Sequence, residues 1–374
     1  MARMHQSGFL LLSLVLFVSC DNPTSEIGLG LLEEGIEPVV TTVNPTVFDS
    51  GTLRDITGAV PRMLVGHVVD PLLGAIVSTG YIDFEGAFPE DNTSDLSNVQ
   101  LELGVDYVYG DTTEAVTVDL FELTEDWPAI GRRADTVLTV GPLVTTFTFA
   151  PTDTLVTVLL PKAWVDGRTE TLRSADFATL FHGFALQPAG GNAVVGFRAE
   201  RSRLHLRTTG DAVSYLTVRA LSGIVRQSER SAQDPLVTFQ DGIGPGVRII
   251  FDFSTYADTP INGAFVRIFA DTVSTLATPE HFVRPLARNL QLVVVSDPDE
   301  PVILIAQATL SDAGAYRFIG AGLRSFFQGI LFGDETFEHL ELRAPYLENS
   351  IDAILLHGPA SQQRAPEVVF ILSP

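Results

Sequence analysis

The chain reads as all-β: two tandem antiparallel β-sandwich domains of jelly-roll type, each with one short amphipathic helix. Three observations predict this. Apolar and polar residues alternate with period two in run after run; Val99, Leu101, Leu103 and Val105 are interleaved with Gln100, Glu102 and Gly104, as in a half-buried antiparallel strand. Turn residues punctuate these runs at short intervals, Asp70-Pro71 and Gly110-Asp111 among them, which favours sandwiches. Roughly 350 residues follow Cys20, more than one average domain holds, and the polar stretch 226–235 (RQSERSAQDP) marks a boundary.

Taken in order, residues 1–20 form a signal segment, with Arg3 and His5 ahead of an apolar run from Phe9 to Val18. The run is too short to cross a bilayer, which takes about 20 apolar residues. Residues 21–45 form a tether interrupted by Pro23, Gly28, Gly30, Gly35, Pro38 and Pro45, with Ile27 to Leu32 placed to dock on the first domain. That domain spans 46–225. Met63 to Val69 and Ala75 to Phe84 pair about the Asp70-Pro71 turn. Val116, Val118 and Leu120 continue the alternation, as do Phe147, Phe149, Val156, Val158 and Leu160. From Leu172 to Phe181 the period changes: Phe177, Leu180 and Phe181 fall at helical offsets before Gly183. Strands at 184–186, 194–197, 204–206 and 215–225 follow.

The second domain, 226–374, repeats this order. Val247 to Phe253, Ala264 to Ile268 and Leu290 to Val294 are strands, and 296–301 (SDPDEP) is an acidic turn. Val302 to Ala306 and Ala315 to Ile319 come next. Leu323, Phe326, Phe327, Ile330 and Leu331 lie at i, i+3, i+4, i+7 and i+8, a helix that buries one stripe and stops at Gly333. Leu340 to Leu342, Ala353 to Leu356 and Val368 to Leu372 close the chain. Each half thus sets one helix before its last three strands, which predicts an internal duplication or two domains of one architecture.

Composition excludes several classes. The formal net charge is −23, from 46 acidic against 23 basic residues. Such a chain repels phosphate backbones, so no nucleic-acid partner is expected. It also resists flat docking on anionic lipid. At 45% apolar and 18% charged the chain is globular rather than disordered. Lys162 is its only lysine, which fits an acidic, strongly hydrated surface or simply a genome of biased base composition.

Cys20 is the sole cysteine in 374 residues. Phe17-Val18-Ser19-Cys20 resembles the bacterial lipobox, in which the cysteine becomes a lipidated N-terminus, although Phe17 stands where leucine is usual. The alternative is ordinary cleavage near Ser19. Several acyl chains would anchor the protein stably, because one alone binds marginally and each buried CH₂ adds about 0.8 kcal/mol. The stretches SCDNPTSEIGLGLL, MLVGHVVDPLLGAIVSTGYIDF, TPINGAFVRIF, RFIGAGLRSFFQGILFG and HLELRAP resemble an uncharacterised lipoprotein family of Bacteroidota-type bacteria whose shared part is a domain of unknown function. The resemblance covers most of 20–374 and implies an outer-membrane or cell-surface location. In that family acidic residues beside the cysteine, here Asp21, accompany export. VQLELGVDY, VTVDLFELTEDWPA and FRAERSRLHLR are similar to jelly-roll modules of bacterial surface proteins. Neither resemblance supplies catalytic or ligand residues.

Motifs for chemistry are missing from the sequence: there is no Gly-x-Ser-x-Gly, no His-Glu-x-x-His and no Gly-rich phosphate loop. His67, His182, His205, His281, His339 and His357 are scattered singly and read as structural. Asp83 and Glu85 share one strand face and could form an acid/base pair, but they read as a solvated edge, as do Glu338 and Glu341. Asp297, Asp299 and Glu300 offer oxygen ligands without the glycine-turned array of a calcium loop, so no metal or other cofactor is expected. Trp127 and Trp164 either stack on sugar faces or cover sandwich edges. The expectation is a non-catalytic lipoprotein acting by contact with envelope proteins, as an accessory of an envelope or surface-assembly complex. A glycan- or peptide-capturing module using Trp127 or Trp164 is the alternative.

Overall fold

Alternating runs become strands throughout, and the buried residues form two large cores, a smaller one between them and another around Trp127. The computed structural model describes residues 39–50, 61–127, 137–227, 235–242, 246–297, 302–345 and 350–372. Its elements begin with β1 (Val39–Val43), β2 (Pro45–Ser50), β3 (Arg62–Asp70), β4 (Gly74–Glu85), β5 (Leu96–Asp111), β6 (Val116–Leu123), β7 (Val140–Phe149) and β8 (Leu155–Leu159). Helices α1 (Lys162–Arg173) and α2 (Phe177–Leu180) follow, then β9 (Phe184–Gly190), β10 (Ala193–Thr208) and β11 (Ala212–Arg226). The rest comprises β12 (Leu236–Gln240), β13 (Val247–Phe251), β14 (Ile261–Phe269), α3 (Thr272–Leu276), β15 (Phe282–Val283), β16 (Asn289–Val295), β17 (Ile303–Thr309), β18 (Ala315–Ile319), α4 (Ala321–Phe332), β19 (His339–Arg343), β20 (Ala353–His357) and β21 (Glu367–Leu372). The protein is all-β with antiparallel sheets, as the alternation predicts.

The first body is a ten-stranded sheet folded over itself. Its path runs β15-β5-β10-β11-β4-β9-β6-β7, with β3 bridging β10 and β4, and β8 added to β5. Strand β10 pairs with β3 along 193–198 and with β11 along 203–207, and a register shift at 198–203 turns it between them. Such an irregularity re-aims a strand sharply. The fold-over puts β5 and β6, which do not pair, against one core: Val99, Leu101 and Leu103 share it with Val116, Val118 and Leu120. Gly66 has φ +143°, and a Cβ there would lie 2.1 Å from the Ala193 carbonyl oxygen, so only glycine lets β3 and β10 approach. The helix expected at 172–181 shortens to α2, because Ser174 is extended, and α1 lies mostly upstream of it. Gly110 lies within β5 rather than in a turn.

The second body is a two-sheet sandwich. The sheet β1-β21-β14-β18 and the sheet β17-β16-β19-β13-β2 enclose one core, and β12 pairs with β20 beside them. Helix α4 supplies Leu323, Phe326, Phe327 and Leu331 to that core and ends at Gly333 in the left-handed conformation. A second helix, α3, lies in the stretch between β14 and β16. Helix order before the last three strands is alike in both halves, but pairing is not: β10 and β11 form a hairpin, whereas β20 pairs with β12 and β21 with β1 and β14.

One correction concerns the domain boundary at 46. Strand β1 pairs with β21, Val39 opposite Leu372, and β2 pairs with β13, Phe48 opposite Ile249. Residues 39–50 therefore build the second body, and 61–227 are inserted between its first two strands and the remainder. Chain order favours neighbours in sequence as neighbours in space, and the short run PTVFDS carries no mark of its distant partner. The described chain thus opens in the second body, not the first. The proposed docking segment Ile27–Leu32 lies outside the described residues.

A buried tie joins the bodies. Strand β15 pairs with the end of β5, Phe282 opposite Asp111, and next to it the Arg284 guanidinium meets Asp70 in the β3–β4 turn. Arg284 Nη2 donates to Asp70 Oδ1 at 2.6 Å and Nε to Oδ2 at 2.7 Å, with the two side chains 1% and 0% exposed. The Tyr109 hydroxyl donates to Oδ2 at 2.5 Å, the Leu72 and Leu73 N–H groups donate to Oδ1, and Arg284 Nη1 donates to the Thr275 carbonyl. Burial pushes the Asp70 carboxyl upward, but the hydrogen bonds from Arg284 and Tyr109 outweigh it and hold it below its ordinary value. Around this polar centre Leu64, Val68, Ile76 and Ile224 of the first body pack with Phe282 and Ile351 of the second.

The inserted topology has a direct test. Phe48→Ala should cost about 3–5 kcal/mol of stability and raise amide exchange in β13 and β19 while β5 and β10 stay protected. Loss of protection in β5 and β10 instead would place β2 with the first body.

Candidate functional site

Where the bodies meet, a cleft of about 640 Å³ opens. One side grows from the register of β16 and β17. Alternation turns Leu290, Leu292, Ala306 and Ala308 into the core and leaves Asn289, Gln291, Gln307 and Thr309 on the outer face. Pairing sets Asn289 opposite Thr309 and Gln291 opposite Gln307, and Thr309 Oγ1 donates to Asn289 Oδ1 at 2.8 Å. Asp241, just after β12, and Ser350 and Asp352, just before β20, also line the cleft, as do Arg288 and, from the first body, Arg62.

The charges here are paired or muted. Asp106 grips Arg62 through Nε at 2.7 Å and Nη2 at 3.0 Å, and also takes Arg198 at 2.7 Å. The Arg62 guanidinium lies 5.0 Å from the centre of the Tyr107 ring. Asp241 is buried; its Oδ2 accepts from Ser350 Oγ at 2.8 Å and its Oδ1 from the Gly242 N–H at 2.7 Å. Burial first, and the nearby Asp352 carboxyl, push Asp241 up to about 8, so at neutral pH it holds a proton and can donate. Burial also raises Asp352, although the nearby Tyr107 and Ser350 hydroxyls oppose it. Asp352 Oδ1 is buried and has no partner among the described residues. The Tyr107 hydroxyl accepts the Ile351 N–H at 3.2 Å and so couples this corner to the first body. Together these groups form a polar recess able to exchange hydrogen bonds with a ligand. Among the described residues, no three His, Cys, Asp or Glu side chains gather in a metal-binding arrangement.

The residues singled out from sequence lie elsewhere. Trp127 is fully buried, donates Nε1 to the His182 carbonyl at 2.9 Å and has the Arg219 guanidinium 4.6 Å from its ring centre. Trp164 is half-buried, donates to Glu122 at 2.9 Å and packs on Phe184 and Phe181. Both indoles are tied into the first body, and neither lines the cleft. Asp83 is buried and ion-paired with Arg219 at 2.7 Å while Glu85 is exposed, so they share no environment. The register shift between Thr217 and Arg219 brings that arginine to Asp83. Glu341 is buried too, held by Arg343 two residues along β19 at 3.0 and 3.1 Å, whereas Glu338 is exposed. Cys20, Asp299 and Glu300 lie outside the described residues.

Sequence reasoning passed over Asp70, Arg284, Asp241 and Asp352. A signal existed for the first two: Asp70 closes the apolar run from Met63, and Arg284 sits between Phe282-Val283 and Pro285-Leu286. A charge set into an apolar run implies a buried partner. No family model, curated protein or solved structure matches this chain.

Asp241 makes stability depend on pH. Its folded pKa lies above its unfolded value, so its contribution is full below about pH 4 and fades as pH climbs to about 8. In urea denaturation Asp241→Asn should gain on the parent steadily from pH 5 to pH 8. A stability gap that stays constant over that range would exclude a buried, protonated carboxyl.

Proposed function

We propose that this chain is a non-catalytic binding protein, held at the bacterial outer membrane or cell surface by acyl chains on Cys20, and that it acts by contact with an envelope partner. The observation that supports this is the joint. Two sandwiches are locked by the buried Asp70–Arg284 pair, so they present one composite surface rather than two independent ones. Strand order supports an outward orientation. The chain enters the second body through β1, an edge of its other sheet, and runs directly into β2; in the sheet β17-β16-β19-β13-β2, β17 beside the cleft is the edge opposite β2, roughly 19 Å away at about 4.8 Å per strand. A lipid anchor would then enter at one edge and leave the far edge to meet a partner, as an accessory of an envelope or surface-assembly complex.

Capture of a glycan or peptide is a second reading, favoured by the cleft at that far edge. Two measurements test the primary one. Cys20→Ala should shift the chain from the membrane pellet to the soluble fraction, and retention in the pellet would remove the acyl anchor from the account. Crosslinking of the full chain in its native membrane should yield an adduct with another envelope protein. Recovery as a lone species at native abundance would contradict action by protein contact.

A further inference from the structure

We propose that the cleft between the sandwiches binds a neutral oligosaccharide through planar polar side chains, principally Gln291, Gln307, Arg288, Asp241 and Asp352. This rests on the second reading above and names its ligand class. Carboxyl, amide and guanidinium groups each offer two coplanar hydrogen-bonding positions, and adjacent ring hydroxyls of a sugar present two matching ones. The cleft gathers seven such groups, Arg62 and Asn289 included, within about 640 Å³, the range of small-ligand sites and too small for a folded partner.

Several observations narrow the ligand. Asp106 already pairs with Arg62, and the Asp352 carboxyl lines the same recess as Arg288, so an anionic ligand finds little net attraction. Arg288 is exposed and makes no ion pair or hydrogen bond through its guanidinium among the described residues. Asp352 Oδ1 is a buried acceptor without a partner there, and such a group is costly until a donor reaches it. Asp241 supplies the opposite character, a carboxyl that holds its proton at neutral pH. A ligand that both gives and takes hydrogen bonds without charge satisfies both.

An extended peptide fits less well. It would add to the free edge of β17 through backbone pairing, and the amides of Asn289 and Gln291, one strand inward on β16, would go unused. A ligand lying on the sheet face spans Gln291 and Gln307 together. Aromatic stacking is not its handle, since Trp127 and Trp164 are engaged in the first body.

The test is an array of neutral mannose-, glucose- and galactose-based oligosaccharides, beside sulfated and sialylated ones and extended peptides, probed with the full chain in detergent. Binding to neutral oligosaccharides is expected. Calorimetry should then show Gln291→Ala and Gln307→Ala each weakening it about fivefold, the loss of one or two uncharged hydrogen bonds. Both positions lie on the outer sheet face, so the melting temperature should hold, and Trp164→Phe should leave affinity unchanged. Affinity at the parent's level in both glutamine variants would overturn the site. Binding confined to charged glycans or to peptides would overturn the ligand class. No array binding, with a crosslinked envelope protein still recovered, would overturn this inference and leave the contact reading standing.

Discussion

An aspartate and an arginine 214 residues apart in the chain meet in the dry seam between two sandwiches, and the arrangement of the whole molecule follows from that meeting. A buried charge is tolerated only when it is paired and its remaining hydrogen-bonding positions are filled. Here Arg284 grips both Asp70 oxygens, Tyr109 adds a hydroxyl, and the turn's own N–H groups complete the set. Hydrophobic packing around it is non-directional and would accept many angles between the bodies. The ion pair accepts few, because a planar fork must meet a planar carboxylate. Arg62 and Tyr107 are thereby brought against Asp241, Asp352 and Ile351, and the cleft exists only in that arrangement.

Local structure was legible in the chain and long-range structure was not. Period-two runs located most strands, and the stripe from Leu323 to Leu331 located α4, since both patterns record which face is buried. Helix α1 left almost no trace: of KAWVDGRTETLR only Val165 and Leu172 are buried, too thin a stripe to read. Partner choice is invisible to such patterns. Nothing in VVTTV or PTVFDS says that their neighbours lie some 200 to 330 positions downstream, and so the inserted topology went unread. The site suffered the same way. Tryptophans attract notice as rare, large rings, yet Trp127 completes a core. Asp241 and Asp352 look like ordinary loop acids until β12 and β20 pair and bring them together.

The inserted arrangement gives the functional reading its direction. Because the first body hangs from the second by two chain crossings and the seam, an anchor at the N-terminal end would restrain the second body directly and the first only through the joint. Binding at the seam would then depend on contributions from both bodies, and a change that loosened the joint would disperse the cleft without unfolding either core.

The most direct test of the account is a double-mutant cycle on Asp70 and Arg284, followed by denaturant unfolding of Asp70→Asn, Arg284→Met and the double variant. If the pair holds the bodies together, each single change costs about 3–5 kcal/mol by leaving a buried group without its partner, and the double variant costs clearly less than their sum. Single effects below about 1 kcal/mol that simply add would mean the seam does not depend on this contact, and the fixed cleft would lose its foundation.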